Sequence, residues 1–153
     1  MSEIRERLTR FLEAFTERVP VEYAALIHVP SRTYVTFTIT PGVTPEYFEA
    51  NFERFYGILE LSLEISESGI LGDLQGTVLR GSNGYMIISQ LSENVILVCG
   101  GSDVSSLGIT LLKIVELKEL IRRRSERPLR GRTLRTLLGG SPGASWVFLD
   151  KPL

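Results

Sequence analysis

Three groups of residues in this chain could do chemistry: the glycine-rich stretch GSNGYMIISQLSENVILVCGGSDVSSLG (81–108), the lone His28 and Cys99, and the arginines clustered after residue 121. A glycine loop cradles phosphate when it follows a strand, opens a helix and keeps the spacing G-x-x-x-x-G-K-[ST]. Backbone amides, helix N-terminus and lysine then converge on one anion. Here a strand-like NVILVCG and a helix-like start VSSLG flank Gly100-Gly101-Ser102-Asp103, but the lysine and the spacing are missing. Asp103 also places a carboxylate where the anion would sit. The chain is therefore expected neither to bind nor to hydrolyse GTP.

His28 lies inside the apolar run YAALIHV without a nucleophile partner, and Cys99 ends a buried-looking strand without an activating base. One histidine and one cysteine are too few for a four-ligand zinc site, and a single cysteine forms no internal disulfide. No catalytic residue, cofactor or metal is expected.

The formal net charge of −1 conceals an uneven distribution. Residues 1–73 hold 12 acidic and 6 basic side chains, residues 122–153 hold 2 acidic and 8 basic. Arg122, Arg123, Arg124, Arg127, Arg130, Arg132 and Arg135 suit phosphates electrostatically. They equally suit the basic end of a helix followed by a solvated extension. A nucleic-acid binder interleaves basic and aromatic residues on its folded domain, whereas these arginines lie beyond it, so nucleic acid is not the expected partner.

The 153 residues, 43% of them hydrophobic, suit one domain with a real core. No apolar run reaches the ~18 residues of a membrane span, and MSEIRERL alternates charges where a signal peptide is apolar. No membrane insertion and a cytoplasmic location are expected.

The elements that must position these residues follow from periodicity. Ile4, Leu8, Phe11, Leu12 and Phe15 describe an amphipathic helix ending near Val19-Pro20. YAALIHV (23–29) and TYVTFTI (33–39) read as a hairpin turned by Pro30-Ser31-Arg32. Thr44 and Pro45 then open a second helix predicted to run to about Ser66. QGTVLR (75–80) and YMIISQ (85–90) form a hairpin around Gly81-Ser82-Asn83-Gly84, and NVILVCG (94–100) follows. Both faces of YMII and VILV are apolar, so the sheet must be covered on both sides. A final helix starts after Ser102 or Asp103, either of which can cap it. The pattern predicts an α/β (α+β) helix/sheet/helix three-layer sandwich with a five-stranded, mainly antiparallel sheet. Its order is helix-strand-strand-helix-strand-strand-strand-helix.

The second helix carries more apolar surface than a sheet can cover. Phe48, Phe52, Phe55, Leu59 and Leu63 form one stripe, and Tyr47, Ile58, Leu61 and Ile65 form another beside it, together about 200° wide where a surface helix needs about 100°. The second stripe is buried either under another part of the chain or against a second copy; self-association is the reading adopted. A small-molecule sensor would instead need polar residues converging on a cavity, which these strands do not show.

The stretch GDLQGTVLRGSNGYMIISQLSENVILVCGGSDVSSLGITLLKI resembles the roadblock/dynein light chain domain family, prokaryotic type. The match lies in the element order, in a glycine turn before Gly84-Tyr85-Met86, and in Ser106-Leu107-Gly108 at the last helix start. It covers about residues 4–124, giving a roadblock-like domain (1–124) and a basic C-terminal extension (125–153). The sequence departs from the family at Pro30-Ser31-Arg32, where many members have Asp-Gly, and in the extension. The resemblance implies a non-catalytic homodimeric scaffold or regulator that binds a Ras-like small GTPase. It also implies second helices side by side and third strands pairing, with a dimer interface of Tyr47, Ile58, Leu61, Ile65 and Val78. A small-molecule-sensing or adaptor domain of a signalling complex is the alternative. The extension ends in the apolar run Trp146-Val147-Phe148-Leu149. It either folds back on its own chain or docks a partner through Arg130, Arg132, Trp146 and Phe148.

Overall fold

The computed structural model describes residues 2–126. In chain order the elements are α1 (Ser2–Arg18), β1 (Tyr23–His28), β2 (Thr33–Thr38), α2 (Pro45–Ala50) and α3 (Phe52–Ser66). Then come β3 (Thr77–Gly81), β4 (Gly84–Ser92), β5 (Val95–Gly101), a 3-10 turn (Val104–Ser106) and α4 (Leu107–Glu126).

The strands form one sheet in the order β2-β1-β5-β4-β3, every neighbouring pair antiparallel. β5 is central, and Val95 to Cys99 are buried without exception, as expected of a strand apolar on both faces. Alternation sends Val95, Leu97 and Cys99 to one side, where they meet Leu8, Phe11 and Phe15 of α1 and Ile114, Leu117 and Ile121 of α4. Ile96 and Val98 go to the other side, against Phe48 of α2 and Phe52, Phe55 and Leu59 of α3. The result is the three-layer helix/sheet/helix arrangement that the apolar pattern predicts.

Two turns set the sheet's edges. Gly81 pairs with Gly84 across Ser82-Asn83, and Gly84 takes a φ of 148° that strains any residue with a side chain. At the other hairpin Arg32 holds a left-handed φ of 54°. Its guanidinium lies 4.0 Å over the Phe52 ring and 3.0 Å from the Glu53 carboxylate, contacts that offset the backbone cost.

The predicted single helix from Pro45 to Ser66 is instead two helices broken at Asn51. Asn51 has φ −106° and ψ 8°, and its side-chain Nδ2 donates to the Tyr47 carbonyl at 2.9 Å. Its own backbone N–H reaches that same oxygen at 3.1 Å. An asparagine side chain competing for a helix carbonyl pulls the backbone out of helical geometry. Thr44 occupies the N-cap position of α2 and Pro45 the first turn, but the threonine side chain makes no capping hydrogen bond.

Candidate interaction surface

The glycine-rich stretch is built for close packing. A Cβ on Gly100 would collide with the Tyr85 carbonyl and the Tyr23 ring, and one on Gly84 with the backbone of Gly101. The space left by Gly100 lets the Tyr23 hydroxyl donate to the Tyr85 carbonyl at 2.9 Å, across β5. Burial pushes the Tyr23 phenol well above its ordinary pKa, so it stays a donor. Tyr85 in turn places its hydroxyl 2.7 Å from Ser106 Oγ, so the Gly84-Tyr85-Met86 and Ser106-Leu107-Gly108 motifs touch each other.

The position a phosphate would take at the β5–α4 loop faces the chain's own carboxylates. Glu22 accepts from Ser102 N and Ser102 Oγ, both at 3.0 Å. Asp103 accepts from Ser105 Oγ at 2.6 Å and Ser105 N at 3.0 Å, bonds that hold its carboxyl below the usual range. Two anions bonded to the loop's donors oppose a third.

His28 and Cys99 are buried in the core. His28 Nδ1 lies 2.6 Å from Ser31 Oγ, which lies 2.7 Å from Thr33 Oγ1. Burial lowers the His28 pKa and raises that of the Cys99 thiol far above the range in which a thiolate forms. Among the described residues no three His, Cys, Asp or Glu side chains cluster closely enough to hold a metal ion. No described helix is long and apolar enough to cross a membrane.

What remains is a surface. On α3, Leu61 and Ile65 are 62% and 63% exposed; on the edge strand β3, Leu79 (43% exposed) lies on the α3 side and Val78 (36% exposed) on the opposite side. Tyr47 and Ile58, predicted to share the same face, are half-buried and pack against the α2/α3 side of the core. They line a cleft of about 460 Å³ together with Arg54, Leu79, Tyr85 and Met86. The structure thus brings Tyr47 and Ile58 to a cleft wall, leaves Leu61, Ile65 and Val78 open, and adds Leu79 and Arg54. Leu79 was legible only as the second apolar residue of TVLR; its exposure depends on β3 being an edge. Arg130, Arg132, Trp146 and Phe148 lie outside the described residues.

The three layers and the strand order are those of a roadblock-type fold. No family model and no curated protein matches the sequence. Among solved structures the chain is similar to the gliding protein MglB from Thermus thermophilus, with a TM-score of 0.52 and 16% identity, over 72% of this chain and 84% of that one. It is also similar to MglB in a tetrameric arrangement, with a TM-score of 0.57 and 19% identity, over 81% and 91% of the two chains. A Roadblock/LC7 domain from Streptomyces avermitilis overlaps at a TM-score of 0.48 and 16% identity, over 74% and 92%. At such identities the likeness to the two MglB structures is one of fold.

Proposed function

We propose that the protein is a non-catalytic homodimeric regulator or scaffold that binds a Ras-like small GTPase. The observation that carries this reading is the exposure of Leu61 and Ile65 on α3 and of Leu79 on the α3 side of the free strand β3, with Val78 exposed on the opposite side of the same strand. Contiguous apolar side chains rimmed by charge mark association sites on folded domains. Tyr47, Ile58, Leu61, Ile65 and Val78 form the dimer face, and Leu79 extends it. The roadblock-type fold supports the choice of a GTPase as partner. The Glu22 and Asp103 carboxylates at the β5–α4 loop support a role in which the partner, and not this chain, holds the nucleotide.

Affinity capture with the purified chain, against Ras-like GTPases loaded with GDP or with a GTP analogue, tests the reading. Retention of a GTPase that depends on its nucleotide is expected. Calorimetry of the chain alone with magnesium and GTP should give no heat of binding. Micromolar nucleotide binding by this chain, or no GTPase retained in either state, would overturn the proposal.

A further inference from the structure

We infer that the basic C-terminal extension docks on its own domain: leucines near its start cover the Ile70-Leu71 tip of the α3–β3 loop, and its arginines face the carboxylates beside it. Ile70 is 88% exposed and Leu71 62%, the most exposed pair of apolar neighbours among the described residues. The loop holds them out. Gly69 and Gly72, with left-handed φ of 94° and 73°, bracket the pair. On one side Gly69 N donates to the Ser66 carbonyl at 3.1 Å. On the other, Lys118 Nζ of α4 donates to the Leu74 carbonyl at 2.8 Å and Ser89 Oγ to the Gln75 carbonyl at 3.1 Å. Leu74 itself packs into the α2/α3 side of the core. A loop tied down at both ends and apolar at its tip presents a surface for a partner to cover.

Charge selects that partner. Residues 45–76 hold seven acidic side chains and one basic, Arg54. Arg54 stands at the far end of α3, 3.2 Å from Asn51 Oδ1, and of the seven acids Glu53 is taken by Arg32 at 3.0 Å. Glu64 and Glu67, on the α3 side of the tip, are exposed and make no ion pair with a described residue. They add to the negative end of the α3 dipole, where a helix favours cations and this one has no basic residue in its last turn. Asp73 lies on the other side of the tip, and its field acts on Lys118, which is already bonded to Leu74. Residues 127–153 hold five basic side chains and one acidic. Within them Leu134, Leu137 and Leu138 interleave with Arg132 and Arg135, a composition complementary to an apolar tip rimmed by carboxylates.

The extension also starts within reach. α4 runs on from Lys118 to Glu126, about 12 Å of helix past the residue that holds the loop. Eleven further residues, to Leu137, span up to about 36 Å, enough to return over that distance to the tip. A segment tethered this closely has an effective concentration of about a millimolar, so a contact too weak to join separate molecules is held within one. The docking is independent of the dimer reading, because Ile70 and Leu71 are not part of the face assigned to it.

Nuclear magnetic resonance of the full chain tests the inference, with a spin label on Thr136→Cys; Cys99 is buried and stays unlabelled. At low salt the amide signals of residues 69–72 should be lost while those of the β1–β2 turn persist, and added salt should return them. Glu64→Lys with Glu67→Lys should cut the loss about threefold or more, and Arg132→Glu with Arg135→Glu added to that pair should restore it. Signals elsewhere in the domain should stay in place, which separates a released extension from a lost fold. An isotope-labelled chain without the spin label, mixed with a spin-labelled chain without the isotope, should lose nothing at residues 69–72. Signals there that persist in the spin-labelled full chain, or a loss that the charge reversal leaves untouched, would overturn the inference. A loss that appears in the mixture also overturns it, by assigning the tip to the extension of a second copy.

Discussion

At one edge of the sheet β2 lies between α1 and α2, touching both, and Thr33 and Val35 are buried. The Arg5 guanidinium from α1 donates to the outward Tyr34 carbonyl at 2.9 Å, so a long cation sits on the strand's free hydrogen-bonding side. At the other edge β3 has only β4 to pair with; every residue after Thr77 is exposed, Val78 and Leu79 among them. An unpaired strand is a template for adding another, and folded proteins blunt such edges with charge or cover. Here one edge has a cation bonded to its backbone, and the other exposes Val78 and Leu79, followed by Arg80, next to the exposed Leu61 and Ile65 of α3. The difference teaches where this chain meets its partners: the finish of an edge, more than its length, separates a terminus of the sheet from an interface.

The sharpest way to break this contrast is at Leu61. Leu61→Asp places a carboxylate in the centre of the proposed seam, where burial without a partner costs several kcal/mol. Self-association should fall by about a hundredfold or more by sedimentation. Because Leu61 is 62% exposed in the single chain, the melting temperature of the monomer should barely move. A variant that dimerises as well as wild type would place the interface elsewhere.

A paired substitution compares the two edges directly. Val78→Lys on β3 should weaken the dimer about tenfold, by charging an edge that lies against its mate. Thr36→Lys on β2 should leave self-association unchanged, since that strand already ends the sheet. Equal losses at both sites would mean that the two edges are not functionally distinct.

Inside the sheet the effect should be smaller and belong to folding alone. Tyr23→Phe removes the hydroxyl that spans Gly100 to the Tyr85 carbonyl, a loss of about 1 kcal/mol for a buried neutral hydrogen bond. Denaturant titration should show that loss, with the dimer constant unchanged at concentrations where the chain stays folded. Loss of dimer without loss of stability would tie Tyr23 to the interface.

Much of this molecule is legible in the sequence where one period governs it. Leu8, Phe11, Leu12 and Phe15 carry a helical repeat and are buried under α1, and VILV, apolar at every position, is the covered central strand. The break at Asn51 is not legible in this way. The apolar positions 48, 52, 55, 59 and 63 run straight across it, and the cause is one side chain competing for the Tyr47 carbonyl. The reason for Gly100 is also hidden, because it is a tyrosine 77 positions away in sequence, brought over it by the sheet register. For the candidate surface, the width of the α3 apolar arc can be counted from the sequence. Which part the sheet covers cannot, and so Tyr47 and Ile58 are half-buried while Leu61 and Ile65 stand open. Leu79 escapes for the same reason: a strand's exposure depends on its place in the sheet order.

The smallest expected effect separates the edges by acidity. His28 ends β1 beside the blunted edge, 2% exposed, with Nδ1 against the Ser31 hydroxyl and Nε2 without a hydrogen-bond partner among the described residues. Desolvation holds its folded pKa below the ordinary 6.5. Above about pH 6.5 the imidazole is neutral both folded and unfolded, and it adds no pH dependence. As pH falls below that value the unfolded chain takes up a proton that the folded chain resists. Stability therefore declines, and the decline ends only once pH passes the lowered folded value. Melting temperature followed from about pH 8 to about pH 5.5, above the main carboxylate range, should fall more in wild type than in His28→Gln, whose side chain does not titrate. The dimer constant should hold steady over the same interval in wild type, since neither α3 nor β3 carries a histidine. Parallel melting curves for the two proteins would remove His28 as the source of the acid sensitivity. A dimer that loosens in step with the wild-type melting curve would couple the two edges that the structure keeps apart.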